Sequence, residues 1–440
     1  MYNQAVGARP GLDVVALLDP NPGRMAYHNG VITGRGDAPA ATYGPDGFDA
    51  MVAEQGVDTI VVTSMDVTHD TYIVAGLEAG CRVITEKPMT TDGERARRIL
   101  DTVARTGNHP TVTFNYRYHP VHERFARLLA DGEIGEVTSV HFEWLLDTRH
   151  GADYFHRWHR EKANSGGLMV HKASHHFDLV NWWIDQHPDT VMAFGQRRFY
   201  GRENGERLGL RRDYDRAHGS PAAADDPFGF DLNADDRTRA LYLDSERYDG
   251  YQRDRNVFGE PVTIEDDMAV LARFDGGATL SYHLTAFAPW EGYRVMVNGT
   301  AGRAELDVVE SAWTPRPVGS APVGSPAGST TAGIHGEAAS STAGGAQILL
   351  RRHWEPARVV EVPFDHAGHG GADVRLLDDL FGRADGSPAP PAEDASRLRA
   401  NEVDGAYAMA LGAAANVSFA SGMPTRISDV LRGPVDASAG

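Results

Sequence analysis

Strand alternating with helix through the first part of the chain, then strands in direct succession after about residue 135, predict two domains of different class. The first is α/β with a doubly wound parallel sheet, and the second is α+β with a largely antiparallel sheet. A length of 440 residues agrees, being too long for one ordinary core. Leu12 to Leu18 and Val57 to Thr63 are short apolar runs with the pattern of strands buried on both faces. Arg82 to Thr85 and Thr111 to Phe114 read as two more. His69 to Ala79 and Thr91 to Arg105 read as helices stopped by Gly80 and Gly107, since glycine commonly sits just past a helix end. Asp92 puts negative charge at the start of the second helix, where the dipole favours it.

The first domain is set at residues 1–118 and the second at 119–440. In the second, Val137 to Leu146, Val191 to Tyr200, Met268 to Phe274, Ala278 to Ala286 and Tyr293 to Asn298 read as strands. Asp275-Gly276-Gly277 is a hairpin signal between two of them. Helices over Ser174 to Asp185, Val374 to Phe381 and Ala395 to Ser421 are expected to cover one face. Residues 201–259 are charged and aromatic and read as an insertion between strands, within which Tyr248 to Phe258 is a candidate lid or oligomer arm. Residues 315–345, mostly Gly, Ala, Ser, Thr and Pro, read as a disordered loop.

Hydrophobic content of 41% and charged content of 23% are those of a globular protein. A net charge of -19 argues against nucleic acid and against an anionic membrane surface. No apolar run approaches the roughly 20 residues that span a bilayer. The single cysteine, Cys81, makes no internal disulfide, so a reducing, cytoplasmic setting is expected.

A dinucleotide fold normally opens with strand, Gly-rich turn and helix, whose amides approach the pyrophosphate. No G-x-G-x-x-G precedes Leu12 to Leu18. That run nevertheless ends in Asp19, and an acid at the end of a second strand is the group that binds NAD ribose hydroxyls. Met1 to Ala8 reads as a helix fragment with nothing before it. The expectation is that a strand and glycine turn lie upstream, and that this chain binds nicotinamide more weakly than an upstream-extended one.

Glu86-Lys87-Pro88 after the strand Arg82 to Thr85 resembles the signature of the glucose–fructose oxidoreductase, inositol dehydrogenase and rhizopine catabolism (Gfo/Idh/MocA) family. The resemblance runs through Asp19-Pro20-Asn21, Thr63 to His69, Gly132 to Val137, Gly166-Gly167-Leu168, Asn298 to Gly302, Gly368 to Gly371 and Ala415-Asn416. It implies a Rossmann-like NAD(P) domain followed by an open sheet, often used for homo-oligomerisation. It also implies that Lys87 lies between nicotinamide and substrate. The family's helix carries an aspartate and, four residues on, a histidine base; here those places hold His171 and His175. His171 is a departure, since an imidazole replaces a carboxylate near Lys87.

Oxidising a secondary alcohol requires a base for the hydroxyl proton while hydride leaves, and histidine suits that need near neutral pH. The expected catalytic set is therefore Lys87, His175 and His171, with the two histidines on one helix face and Lys172 pointing elsewhere. A zinc pair at His171 and His175 is the other reading; no Glu adjoins the first histidine and only Asp178 is near, so no metal is expected. Cofactor contacts are assigned to Asp19, Arg24, Thr63, Ser64, His69, Glu86, Lys87, Pro88 and Asn115. Asp19 favours NAD, and Arg24 leaves NADP as the alternative. Substrate contacts are assigned to Arg117, Arg157, Trp158 and His171, with a carbohydrate or polyol as partner. The function expected is hydride transfer between nicotinamide and a hydroxyl of a sugar, glycoside or cyclitol. The rivals are a glycoside hydrolase working by transient oxidation with NAD, and a non-catalytic nucleotide-binding regulator.

Overall fold

The computed structural model describes residues 1–314, 345–362, 371–387 and 398–432. The segment 315–344, read as a disordered loop, lies outside the described residues, as do Gly368-His369-Gly370 and residues 395–397 of the expected last helix. The first elements are α1 (Tyr2–Gly7), β1 (Ala16–Leu18), α2 (Pro22–Gly34), β2 (Ala41–Tyr43), α3 (Phe48–Gln55), β3 (Thr59–Val62), α4 (His69–Glu78), β4 (Arg82–Thr85), α5 (Gly93–Thr106) and β5 (Thr111–Val112). Every pairing among these strands is parallel, but they form two pieces, β1-β2 and β3-β4-β5. β1 is shorter than its apolar run because β2 offers a ladder only from Ala16 onward, and Val15 is exposed. Asn21 caps α2, accepting from the Gly23 and Arg24 amides with Pro22 at the first helical position. Asp92 caps α5 through the Arg95 amide, and Gly107 ends it in the left-handed conformation.

The second part contains α6 (Pro120–Ala130), β6 (Val137–Asp147), α7 (Thr148–His156), α8 (Lys162–Ser165), α9 (Leu168–His171), α10 (Ala173–Ile184), β7 (Pro188–Gln196), β8 (Asp267–Phe274), β9 (Thr279–Ala288), β10 (Glu291–Gly299), β11 (Gly302–Ser311), β12 (Gly345–Arg352), β13 (Arg358–Val360) and β14 (Thr425–Arg426). Nine of these strands form one sheet, ordered β13-β12-β11-β10-β6-β9-β8-β7-β14. It is antiparallel except at β6–β9. Its inner face carries Phe142, Trp144, Val270, Tyr282, Leu284, Tyr293, Val295 and Leu306, buried under α10 and the Glu402–Ser421 helix. That last helix starts at an Asn401–Asp404 capping box rather than at Ala395.

β7 ends four residues before the expected Tyr200. The Asp266 carboxylate takes the Arg198, Phe199 and Tyr200 amides at 2.7, 2.9 and 2.8 Å, so those residues leave the ladder. Residues 201–259 lie between β7 and β8. They are held by buried groups such as Arg253, Val257 and Phe258, and by Arg160, which donates to the carbonyls of Asn256, Gly259 and Pro261.

Candidate active site

The site is built where β3 and β4 end, since side chains there leave the parallel ladder and project at its carboxyl edge. After β4 come Glu86, Lys87 and Pro88, with a cis Lys87–Pro88 peptide. After β3 the chain runs through Thr63, Ser64 and Asp66 into α4. His69 ties the two loops together, its ring nitrogens 2.9 Å from the Pro88 carbonyl and 3.0 Å from that of Ser64. His69 is buried, and these two contacts fix the loops that follow β3 and β4 against each other.

α9 delivers His171 to this corner. Its Nδ1 lies 2.5 Å from Asp66 Oδ2, and its Nε2 lies 3.4 Å from Lys87 Nζ. Lys87 Nζ also donates to the His171 carbonyl at 3.4 Å. Asp66, buried and unassigned in the sequence reading, restores a carboxylate to the neighbourhood that His171 had removed one from. Burial lowers the Lys87 ammonium to about 8, against a favourable pull from Asp66 and Glu86. Burial, reinforced by Lys87, His159 and Arg157, holds the His171 ring neutral, well below the ordinary histidine value. Burial likewise raises Asp66, partly offset by Lys87 and Arg157. A neutral His171 then donates from Nδ1 to Asp66 and offers the Nε2 lone pair towards Lys87.

Aromatic rings wall the corner. His159 meets His171 edge to face at 4.1 Å and stacks on Trp158 at 3.5 Å, while Tyr154 meets His171 edge to face at 5.5 Å. Arg157 pairs with Asp153 at 2.6 Å and lies over the Tyr154 ring. Behind Tyr154 runs a second polar line: its OH is 3.1 Å from His150 Nε2, and His150 Nδ1 is 2.6 Å from Glu291 Oε1. Burial beside Asp147 raises the Glu291 carboxyl to about 8.

Several expectations are corrected. His171 and His175 do not share one helix face, because the helix breaks at Lys172 and the His175 amide bonds back to the Lys172 carbonyl. His171 meets Lys87, whereas the His175 ring stacks on Tyr116 at 4.5 Å. Lys172 is buried over the Tyr116 and Trp144 rings. Arg117 is buried in an ion pair with Asp178 at 2.6 Å and with Asp404 at 3.0 Å, so its guanidinium is already engaged by two carboxylates. That pairing also takes Asp178 away from any metal. The described cluster with metal-ligand spacing is instead Asp66, His159 and His171, whose ligand atoms lie within 4.8 Å of one another. The Lys87 ammonium beside His171 and the charge of Arg157 oppose a cation there.

The residues assigned to the cofactor follow the ends of β1, β3, β4 and β5. Glu86 accepts from the Tyr2 hydroxyl at 2.8 Å, and Thr63 and Ser64 are exposed. Asn115 donates to Asp373 at 2.7 Å, while its Oδ1 is buried without a hydrogen-bond partner among the described residues. Asp19 accepts from the Asn21 amide at 2.7 Å, and burial raises its carboxyl above the usual value. Arg24 is committed to Asp249 of the insertion at 2.7 Å, with Asp19 at 3.8 Å.

Parallel strands with a half-buried lysine and a carboxylate–histidine pair at their ends, backed by a large open sheet, define a dinucleotide-type oxidoreductase architecture. The comparisons specify it. Residues 2–114 match the model of the oxidoreductase family NAD-binding Rossmann fold, and residues 126–319 match that family's C-terminal alpha/beta domain. The chain is 35% identical to the oxidoreductase YteT of Bacillus subtilis over 387 residues, covering 84% of this chain and 82% of that protein. It belongs to the Gfo/Idh/MocA oxidoreductase family. It is also 30% identical to inositol 2-dehydrogenase of Rhizobium meliloti over 195 residues, which is 44% of this chain and 54% of that one. Among solved structures, an oxidoreductase domain protein from Kribbella flavida aligns with a TM-score of 0.61 at 18% identity, covering 97% and 95% of the two chains. A levoglucosan dehydrogenase in complex with NADH and levoglucosan aligns at 0.59 and 15% identity, covering 97% and 96%. These two show a shared fold. Among the described residues, no helix is long and apolar enough to cross a membrane.

Proposed function

We propose that the protein uses NAD to oxidise, or its reduced form to make, a secondary hydroxyl on a sugar, glycoside or cyclitol. The observation that carries this reading is the Asp66–His171–Lys87 line at the ends of β3 and β4. The residues fit the cofactor: the orphaned Asn115 Oδ1 suits a carboxamide N–H donor, and Asp19 suits ribose hydroxyls. Inositol and levoglucosan, named for two of the similar proteins, are both ring polyols.

Bound NAD supplies the hydride acceptor. Lys87 Nζ and His171 Nε2 converge on one locus where a substrate hydroxyl would sit. Lys87, charged, donates to that oxygen and stabilises the negative charge that develops as the carbon loses hydride. His171 Nε2 takes the hydroxyl proton, and the ketone forms as the C–H pair leaves. Asp66 holds the Nδ1–H tautomer of His171 and stabilises the imidazolium that results. His175, on Tyr116, stands one turn further along as a second candidate base.

A second reading, the glycosidase that oxidises transiently, draws support from the Tyr154–His150–Glu291 line. Elimination and re-addition need a proton-transfer group besides the one that serves oxidation, and Tyr154 adjoins His171. One screen separates the readings. Sugars, glycosides and cyclitols are offered with NAD, and both reduced nicotinamide and free aglycone are followed. Net reduced nicotinamide is the expected result, aglycone release without it supports the glycosidase, and failure to bind nicotinamide under any condition overturns the proposal.

A further inference from the structure

We infer that Asp249, carried by the insertion between β7 and β8, is a specificity determinant that makes the adenosine end of the cofactor site select NAD over its 2′-phosphorylated form. This rests on the reading above that nicotinamide dinucleotide binds along the carboxyl edge of the parallel strands.

The insertion crosses from the sheet part of the molecule to the start of α2. Asn21 Nδ2 donates to the Ser245 carbonyl at 3.0 Å, and Arg24 Nε donates to that of Leu241. A Cβ on Gly23 would sit 2.6 Å from Ser245 Oγ and 2.8 Å from the Tyr248 ring, so the glycine is what lets the insertion come this close. Asp249 then reaches Arg24 at 2.7 Å, nearer than Asp19 does at 3.8 Å. Burial pushes the Asp249 carboxyl up, but hydrogen bonds from Asn21, the Tyr251 amide and Arg24 outweigh it and keep the group ionised.

Arg24 taken alone would be the natural clamp for a 2′-phosphate, because a guanidinium binds phosphate in a two-pronged way. Here two carboxylates flank it, and the shorter contact comes from outside the parallel-strand part. The locus next to Asp19 therefore carries one more negative than positive charge. A phosphate on the ribose would have to displace Asp249 from Arg24 and then lie beside both carboxylates. A ribose with free hydroxyls needs only the acceptor that Asp19 provides. Cofactor choice is thus set jointly by α2 and a segment more than two hundred residues away in sequence.

The test is equilibrium titration of the purified protein with NAD and NADP, followed by protein fluorescence and calorimetry, with no turnover required. The wild type is expected to bind NAD at least about tenfold tighter, the scale of one charge-assisted hydrogen bond. Asp249→Asn is expected to narrow the Kd ratio by about tenfold, chiefly through tighter NADP binding, and Asp249→Glu to restore it. Should the variants fail to fold, 5′-AMP against adenosine 2′,5′-bisphosphate on the wild type reads the same discrimination. Equal or tighter binding of the 2′-phosphorylated ligand by the wild type overturns the inference, as does an unchanged ratio in folded Asp249→Asn. If neither dinucleotide binds, the reading under Proposed function falls and takes this one with it.

Discussion

Lys87 sits between two opposing forces, burial that favours the neutral amine and the Asp66 and Glu86 carboxylates that favour the ammonium. Because its folded value falls to about 8 from an ordinary 10.5, the unfolded chain binds more protons between those limits. Stability should therefore rise with pH from about 8 to 10.5, while activity that needs the charged amine should fall over the same window. Denaturation midpoints and kcat/KM measured across that range check both slopes, and Lys87→Met should flatten the stability slope. Lys87→Ala should lower kcat/KM by about 10²- to 10³-fold, as expected for removal of a group that stabilises a developing oxyanion. Asp66→Asn should lower kcat by about 10²-fold with little change in KM. It should also shift the His171 tautomer seen by nitrogen NMR, which a loss of packing alone would not do. Glu86-Lys87-Pro88 was legible in the sequence because it is contiguous and follows a strand. Asp66 was not, since its role comes from a partner 105 positions away and the histidine at 171 read only as a loss of charge.

Helix α9 is short, and its position depends on what lies behind it. The Glu402–Ser421 helix packs there, and a Cβ on its Gly412 would stand 2.2 Å from the Met169 carbonyl oxygen. Gly412→Ala should push α9 outward, destabilise the fold by about 1–3 kcal/mol and lower kcat more than it raises KM. Thermal unfolding and steady-state kinetics on one preparation would show whether both changes occur together. Most elements could be read from periodicity, since the inner-face residues of β6, β8 and β9 alternate cleanly. The failures have local causes. Asp266 captures three amides and cuts β7 short, and the chain steps at Lys172 in a stretch whose helical pattern is otherwise continuous. β11 was overlooked although Ala304, Leu306 and Val308 alternate with Arg303, Glu305 and Asp307, which is a strand signal in plain view.

At the scale of the molecule, the large sheet buries one face and leaves the other open. The open face mixes polar pairs, such as His141–Ser281 and His283–Asp267, with exposed Phe194 and Leu271. The resemblance to the family implies that such a face can serve homo-oligomerisation, and a pair of charge substitutions tests that expectation. Phe194→Asp with Leu271→Arg should then lower the mass measured by light scattering, leaving the thermal midpoint of the protomer nearly unchanged. The two-part architecture was legible because strand–helix alternation and strand succession are long-range patterns. The insertion's reach to α2 was not, because nothing local to 201–259 names its partner. That reach makes the insertion a clasp with unequal ends. Arg253 and Arg160 fasten its other end and are almost wholly buried, whereas Arg24 and Asp249 are each 22% exposed in their side chains. The exposed end is the one that salt can loosen. A dinucleotide held beneath it should leave faster as ionic strength rises, so the residence time of the cofactor, and any turnover limited by its departure, becomes a quantity the solvent can set.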